Sequence, residues 1–376
     1  LFDPEQVSSE RTVILSERQG NENHPTFRLS EELSAAAFRA HPYGQGVIGF
    51  KSDLETMTRD DLYNHYRTFY APNNATVVVV GDFETDELLH EIERRFGAAT
   101  PIEQIPAVRT IEPQQVGQRR VTVRRPAPAA TMFAGWHAPA ASSPDAPAMV
   151  VLDTVLSGGK SIGYGGGGGM GRSSRLYRAL VSSGLTSSAG SSFALTIDPY
   201  LFSVSATLLP DTRPEQVESI VFEQVERLRE DLVPTDELNR AIKQIRAQLA
   251  YGGESVTSQA YMIGSLETVA PGTDADEFNE RIASVTAEDV QRVVQTYLLH
   301  DRSNVGWLEP TEESGSAPID AGIAANRPFF FTGAPLSEPQ DNIPHIDLKE
   351  RTLPNGIRLL GHHDPTSDAA VFDIRF

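Results

Sequence analysis

The chain contains a sequence repeat, and this repeat restricts the possible fold more than any other feature. Residues 57–80, MTRDDLYNHYRTFYAPNNATVVVV, align without gaps to residues 285–308, VTAEDVQRVVQTYLLHDRSNVGWL. Thr58 coincides with Thr286, and the apolar positions keep the same pattern along both segments. The repeated unit predicts a helix, a turn and a strand, and its first copy begins with a capping box. Because the unit closes two successive stretches of chain, we predict two α/β subdomains of related fold.

The composition excludes several classes of partner and site. The 376 residues carry a formal net charge of −19, which argues against nucleic acid or an anionic membrane as partner. The absence of cysteine excludes disulfides, thiolate metal sites and a cysteine nucleophile. No apolar run approaches the roughly 20 residues that span a bilayer. The chain begins at Leu1 and stops inside an apparent strand, so we expect a piece of a longer protein. Its compartment stays open between bacterial periplasm and cytoplasm.

A glycine-rich stretch lies between two predicted helices. Seven of the nine residues in 163–171 are glycine. The phosphate-binding motif G-x-x-x-x-G-K-[ST] would need a glycine where Thr154 stands, and a strand where residues 146–156 predict a helix. A nucleotide site is therefore disfavoured, and only nucleotide binding that depends on Lys160 would support it. A flexible connector and a loop that grips another ligand both remain open.

Two glutamates share one face of the first predicted helix. Glu10, Val13, Ile14 and Glu17 follow the spacing i, i+3, i+4, i+7, which predicts a face turned towards the core. A buried carboxylate is costly unless an arginine, a hydrogen-bond network or a metal compensates it. Spacing alone favours an ion-paired or partly exposed face over a metal site. The nine histidines do not complete a site, because neither H-E-x-x-H nor H-x-x-E-H occurs.

Several segments resemble the insulinase/pitrilysin zinc metallopeptidases, the family that includes the mitochondrial processing peptidase. They follow one another in the order found in that family and extend over nearly the whole chain apart from a stretch rich in proline, glycine and serine. The segment that begins with HPYGQG is the most specific of them. The resembling segments are ERTVILSE, HPYGQGVIGFKSDLETMTRDDLYNHYRTFYAPNNATVVVVGD, SSRLYRAL, VTAEDVQRVVQTYL and TLPNGIRLLGHHD.

The resemblance implies a fold and a domain organisation. Its members are α+β proteins built from tandem related α/β subdomains of the LuxS/processing-peptidase type, each a sheet with helices packed on one side. On this basis we predict four segments of the chain. They are the C-terminal part of a first peptidase subdomain (1–105), a second, inactive and substrate-binding subdomain (115–310), a linker (311–345) and the start of a third subdomain (346–376).

The resemblance also implies a zinc site to which this chain contributes in part. In the family, two histidines and a glutamate of H-x-x-E-H act together with a later glutamate that binds the zinc. Matching ERTVILSE places that metal ligand at Glu17 and a supporting carboxylate at Glu10. The H-x-x-E-H segment is absent, so the chain alone is expected to be inactive and to hold no catalytic residue.

The glycine stretch has a counterpart in the same family. The non-catalytic subunit of the processing peptidase carries a glycine-rich loop, before a segment similar to SRLY, that takes part in substrate recognition. This implies a peptide-binding role for Gly165, Gly166, Gly167, Gly168 and Gly169. The expected function is part of a zinc-dependent metalloendopeptidase acting on oligopeptides or unfolded segments, with a homologous second half or subunit as partner. The alternative is a non-catalytic family member that acts as a substrate-binding or scaffold subunit.

Overall fold

The computed structural model describes residues 2–159, 171–253, 255–311, 348–363 and 370–375. The chain divides into two compact units. Unit 1 comprises Leu1–Gln114, Gly252–Phe278 and His345–Phe376, and unit 2 comprises Gln115–Tyr251 and Asn279–Pro344. The first division falls between Gln114 and Gln115.

The described residues form α-helices and β-strands in both units. The α-helices are α1 (Pro4–Asn23), α2 (Pro25–Ala37), α3 (Lys51–Thr56), α4 (Arg59–Phe69), α5 (Thr85–Phe96), α6 (Ala146–Ser157), α7 (Pro214–Glu230), α8 (Thr235–Gly252), α9 (Val256–Val269), α10 (Ala275–Ala283) and α11 (Ala287–Tyr297). The strands are β1 (Thr76–Gly81), β2 (Arg119–Arg125), β3 (Thr131–Ala138), β4 (Thr186–Phe193), β5 (Tyr200–Leu208), β6 (Asn304–Pro310), β7 (Leu348–Thr352), β8 (Arg358–His363) and β9 (Ala370–Arg375).

The two copies of the repeat have the same local structure. Helices α4 and α11 each begin with a capping box, in which the threonine and the aspartate bond to each other's backbone N–H. Hydrogen bonds from Thr58 hold the pKa of Asp61 below its usual value. Burial opposes ionisation of Asp289, but hydrogen bonds from Thr286 outweigh it and lower the pKa of this carboxyl as well. A 3₁₀ turn then leads into β1 in the first copy and into β6 in the second. The repeat predicted from the sequence is confirmed.

The strands of the two repeats have equivalent neighbours in their sheets. In unit 2 the strand order is β2-β6-β3-β5-β4, and β6 runs parallel to β2 and antiparallel to β3. In unit 1 the order is β7-β8-β1-β9, and β1 runs parallel to β8 and antiparallel to β9. Each repeat strand therefore has one parallel and one antiparallel neighbour: β8 and β9 for β1, and β2 and β3 for β6. The segment that the resemblance interprets as the start of a third subdomain contributes these strands to the sheet of unit 1.

The core of unit 1 covers both faces of β1. Val78 and Val80 pack with Val256, Ala260 and Ile263 of α9. On the opposite face, the alternate valines of β1 pack with Ile92 of α5 and with apolar residues around β8. A strand buried on both faces reads as a continuous run of β-branched residues, as the sequence TVVVV does. Helices α9 and α5 thus lie against opposite faces of this strand.

The core of unit 2 is built around α6 and β3. Every residue of α6 is buried, and Trp136 on β3 is fully buried, with its indole N–H donating to the carbonyl oxygen of Leu299 at 3.1 Å. At the edge of the same sheet, Glu218 accepts a bidentate hydrogen bond from Arg120 and a third bond from Trp307. Burial opposes ionisation of Glu218, but these donors outweigh it and lower its pKa.

Side-chain hydrogen bonds hold the proline-containing segment that precedes Gln114 in unit 1. The side-chain amide of Asn73 donates to the carbonyl oxygen of Ile102 at 2.8 Å and accepts from its N–H at 3.0 Å. The carboxylate of Glu112 accepts from the three successive backbone N–H groups of residues 39–41 at 2.8–3.0 Å. Side chains thus satisfy backbone groups on both sides of this proline-containing segment, which holds it in one path.

Candidate functional site

Helix α1 presents the two glutamates that the sequence singled out. It begins after Asp3, the N-cap, which accepts from the N–H groups of Glu5 and Gln6, and it has proline in its first turn. Glu10 and Glu17 are both exposed, and Val13 between them is 55% exposed. The expectation that this face packs into the core is therefore not met within the described residues, and both carboxylates are left accessible.

A buried arginine explains how α1 is oriented. Arg18 is 3% exposed, and its guanidinium lies 2.9 Å from Glu31 and 3.2 Å from Glu22 while donating to the carbonyl oxygen of Gly49 at 2.5 Å. Arg11, seven residues earlier, donates to the carbonyl oxygen of Met57 at 2.5 Å. These two arginines attach one side of α1 to the segment that contains Gly49 and Met57. Glu10 and Glu17 each lie about 100° around the helix from the adjacent arginine.

The described residues alone do not form a metal site. No three His, Asp or Glu side chains in the described ranges come close enough together to hold a metal ion. An exposed carboxylate such as that of Glu17 can supply one ligand, whereas zinc in proteins takes three or four. The described residues can therefore contribute one ligand to a zinc site, but they do not form a complete site by themselves. The assignments of Glu17 as a ligand and Glu10 as its support stay predictions.

The glycine stretch is joined to unit 2 by a narrow stem. Gly165 to Gly169, the residues to which the resemblance gives a peptide-binding role, lie outside the described residues. The residues on either side of the stretch are joined by a hydrogen bond from the N–H of Gly171 to the carbonyl oxygen of Ser157 at 3.2 Å. The N–H of Gly159 donates to Oε1 of Gln244 on α8, also at 3.2 Å. The segment that leads into the stretch is helix α6, which confirms the helical context that disfavours a phosphate loop.

Gly158 occupies a backbone conformation that only glycine adopts readily. Its φ is 92° and its ψ is 168°, and an added Cβ would lie 2.7 Å from the backbone nitrogen of Gly171. We expect Gly158→Ala to lower the free energy of unfolding of unit 2 by about 2–4 kcal/mol, because conformational strain and a backbone clash add together. Urea denaturation followed by fluorescence of Trp136 and Trp307, both in unit 2, measures this loss.

A matched control for this substitution is Gly184. It also has a positive φ, 75°, but an added Cβ there meets no atom within 4 Å. Gly184→Ala is expected to cost only the strain of the left-handed conformation, about 1–2 kcal/mol. Equal losses for the two variants would show that the stem contact at Gly158 contributes nothing.

The SRLY segment after the stem is held by an ion pair. The guanidinium of Arg175 makes two hydrogen bonds to the carboxylate of Glu237 on α8, at 3.0 and 2.8 Å, and both side chains are less than one-sixth exposed. The sequence predicts an α-helix here, and the structure forms a π-helical turn at Tyr177–Val181. Sequence analysis identified SRLY by resemblance but did not find Glu237, because the two partners are 62 residues apart.

Comparison with protein families settles the family of the chain. Residues 56–245 match the family model described as the peptidase M16 inactive domain. The chain belongs to the peptidase M16 family. The matched residues include β1, the stem of the glycine stretch and the ion pair of Arg175, whereas Glu10 and Glu17 precede them. The family predicted from the sequence is confirmed.

Relatives of this M16 chain include proteins named as proteases. The chain is 28% identical over 320 residues to an uncharacterized zinc protease of Mycobacterium tuberculosis, covering 83% of this chain and 69% of the relative. It is 25% identical over 299 residues to the beta subunit of the mitochondrial-processing peptidase of Lentinula edodes, covering 78% and 63%. A solved protease from Helicobacter pylori superposes with a TM-score of 0.75 at 24% identity, covering 82% of this chain and 73% of that one. This likeness confirms the predicted α+β fold class.

Within the described residues, no helix combines the length and the apolar character that a membrane span requires.

Proposed function

We propose that the chain forms part of a zinc-dependent metalloendopeptidase that hydrolyses oligopeptides or unfolded peptide segments. The observation that carries this proposal is the M16 family match over residues 56–245, together with relatives named as zinc proteases and a processing peptidase. Because the chain contains no H-x-x-E-H, the two histidine ligands and the general base come from a segment outside this sequence.

In this proposal Glu17 supplies one ligand of the zinc. Its carboxylate is exposed on α1, and the buried Arg18, about 100° further around the helix, fixes the rotation of the helix. Glu10 lies on the same side, two helical turns before Glu17, and supports the site electrostatically. The zinc ion supplies Lewis-acid chemistry for hydrolysis of the peptide bond. What this chain contributes is a fixed carboxylate that is left accessible.

The second unit has a substrate-binding role in the same proposal. Glycine residues expose backbone N–H and C=O groups without side-chain obstruction, which suits contact with an extended peptide. We therefore assign peptide binding to Gly165, Gly166, Gly167, Gly168 and Gly169. The ordered stem at Gly158 and Gly171 supports this, because it fixes both ends of the stretch to unit 2. A homologous second half or subunit would complete the enclosure around the substrate.

The test is a cleavage assay on the protein produced together with the residues encoded before Leu1. A quenched fluorescent peptide of about 15 residues should be cleaved, cleavage should stop when zinc is chelated, and one equivalent of zinc should restore it. Cleavage that continues after zinc removal would contradict the proposal.

A non-catalytic function has one observation in its favour. The matching family model is that of the inactive domain of M16 peptidases. In this alternative the protein binds peptide as a substrate-binding or scaffold subunit and cleaves nothing, with or without zinc. The same assay distinguishes the two functions, since peptide binding without cleavage at saturating zinc supports the alternative.

A further inference from the structure

Unit 2 contains a small polar cleft beside the stem of the glycine stretch. It lies between the C-terminal end of α6, the residues after Gly171 and the first three turns of α8, it opens to solvent, and its cavity volume is about 20 Å³. The residues that line it are mostly polar. They are Thr154, Val155, Gly158, Ser173, Ser174, Glu237, Arg240, Ala241 and Gln244.

One buried hydroxyl in this cleft lacks a partner. Ser174 is 5% exposed, and within the described part of the chain its Oγ makes no hydrogen bond. A buried hydroxyl that makes no hydrogen bond costs free energy, so an acceptor entering the cleft would recover that loss. Gln244 also lines the cleft, and its Oε1 accepts a hydrogen bond from the N–H of Gly159. The Nε2 of the same side-chain amide remains as a donor for a ligand.

The charges in the cleft favour an anion. Glu237, its acidic residue, is paired at both oxygens with Arg175, and Arg178 lies 3.7 Å from the same carboxylate. Arg240 lines the cleft one turn further along α8, is exposed, and has no ion-pair partner among the described residues. The local charge is therefore positive, although the whole chain carries −19. Such a reversal of sign draws anionic groups to this position.

We propose that this cleft binds a single carboxylate of a peptide, with Arg240, Ser174 and Gln244 as donors. The guanidinium of Arg240 supplies the charge, and the hydroxyl of Ser174 and the amide of Gln244 supply neutral hydrogen bonds. The inference rests on the proposed peptide substrate, and it specifies a carboxylate as the group of that peptide which the cleft recognises. The carboxylate comes either from the C-terminus of the peptide or from an aspartate or glutamate side chain.

The experiment uses the 376-residue chain and three dye-labelled, N-acetylated decapeptides of alanine, glycine and serine. One has a free C-terminus, one is amidated, and one is amidated but contains a single glutamate. Fluorescence anisotropy at about 50 mM salt measures each Kd. We expect a carboxylate-bearing peptide to bind at least about tenfold more tightly than the peptide without one, and the two carboxylate positions distinguish the two sources.

Substitutions then assign the site. Arg240→Gln should weaken binding of the preferred peptide about tenfold or more, and Ser174→Ala about threefold to fivefold, with no loss of stability because the hydroxyl has no bond to lose. Lys243→Gln is the matched control: it removes one positive charge from an exposed residue of the same helix that does not line the cleft. Equal affinity for all three peptides, or equal weakening by Arg240→Gln and Lys243→Gln, would overturn the proposal. The assay needs neither zinc nor cleavage, so its failure is separate from failure of the proposed peptidase activity.

Discussion

Replacing Glu17 with glutamine should remove most of the zinc and lower peptidase activity by about a hundredfold or more in the protein that carries the H-x-x-E-H segment. A neutral amide oxygen is a much weaker zinc ligand than a carboxylate of nearly the same shape. Substituting a residue that only hydrogen-bonds to a metal ligand already lowers metal affinity or activity about 10–100-fold. Zinc content measured by atomic emission on the purified protein, alongside cleavage of a quenched peptide, gives both quantities.

Two further substitutions on α1 serve as controls for Glu17. Glu10→Gln should lower activity about tenfold while leaving most of the zinc bound, because Glu10 is assigned a supporting role. Glu5→Gln, in the exposed first turn of the same helix, should change neither quantity. Glu10→Gln and Glu17→Gln should leave the thermal stability of the zinc-free protein unchanged, since both side chains are exposed. Unchanged zinc in Glu17→Gln would refute the ligand assignment.

Replacing Arg18 with methionine should lower the free energy of unfolding of unit 1 by about 3–5 kcal/mol. The substitution keeps much of the buried side-chain volume but leaves Glu22 and Glu31 without their buried cation and the carbonyl oxygen of Gly49 without a donor. Both tryptophans belong to unit 2, so tryptophan fluorescence does not report on unit 1. Amide hydrogen exchange of peptides from α1 and α2 measures the change directly.

Arg28 provides a matched control for Arg18. It pairs with the same two glutamates, at 2.9 and 3.0 Å, but its side chain is 42% exposed. Water screens its charge and would replace its hydrogen bonds, so Arg28→Met should cost no more than about 1 kcal/mol. Equal losses for the two variants would show that burial of Arg18 is not what holds α1 in place.

The parts of the fold that depend on neighbouring residues could be predicted from the sequence. The repeat gave both capped helices, both turns and both buried strands, because capping boxes and β-branched runs act within a few residues. Helix α1 likewise has a local start signal, because Asp3 is its N-cap and Pro4 its first residue.

The features that the sequence did not reveal depend on contacts between distant residues. The rotation of α1 is set by Arg18 meeting Glu31 and Gly49, and periodicity alone places Glu10 and Glu17 on the inward face instead. The i, i+4 spacing of Arg18 and Glu22 was the local signal that could have indicated an ion-paired face. The pairing of Arg175 with Glu237 had no local signal, so the polar cleft beside it could not be foreseen.

The strand order of unit 1 has a consequence for biosynthesis. The described strands of unit 2 lie between residues 119 and 310, whereas β1 pairs with β8 and β9, about 280–300 residues further along the chain. A ribosome therefore releases every strand of the second sheet before it releases those that flank β1. With chains emerging at roughly 5–20 residues per second, β1 spends on the order of 15–60 seconds without these two neighbours. Pairing of β1 with β8 and β9 is therefore a late step, and in this chain the sheet of unit 1 is completed only after the strands of the second sheet have emerged.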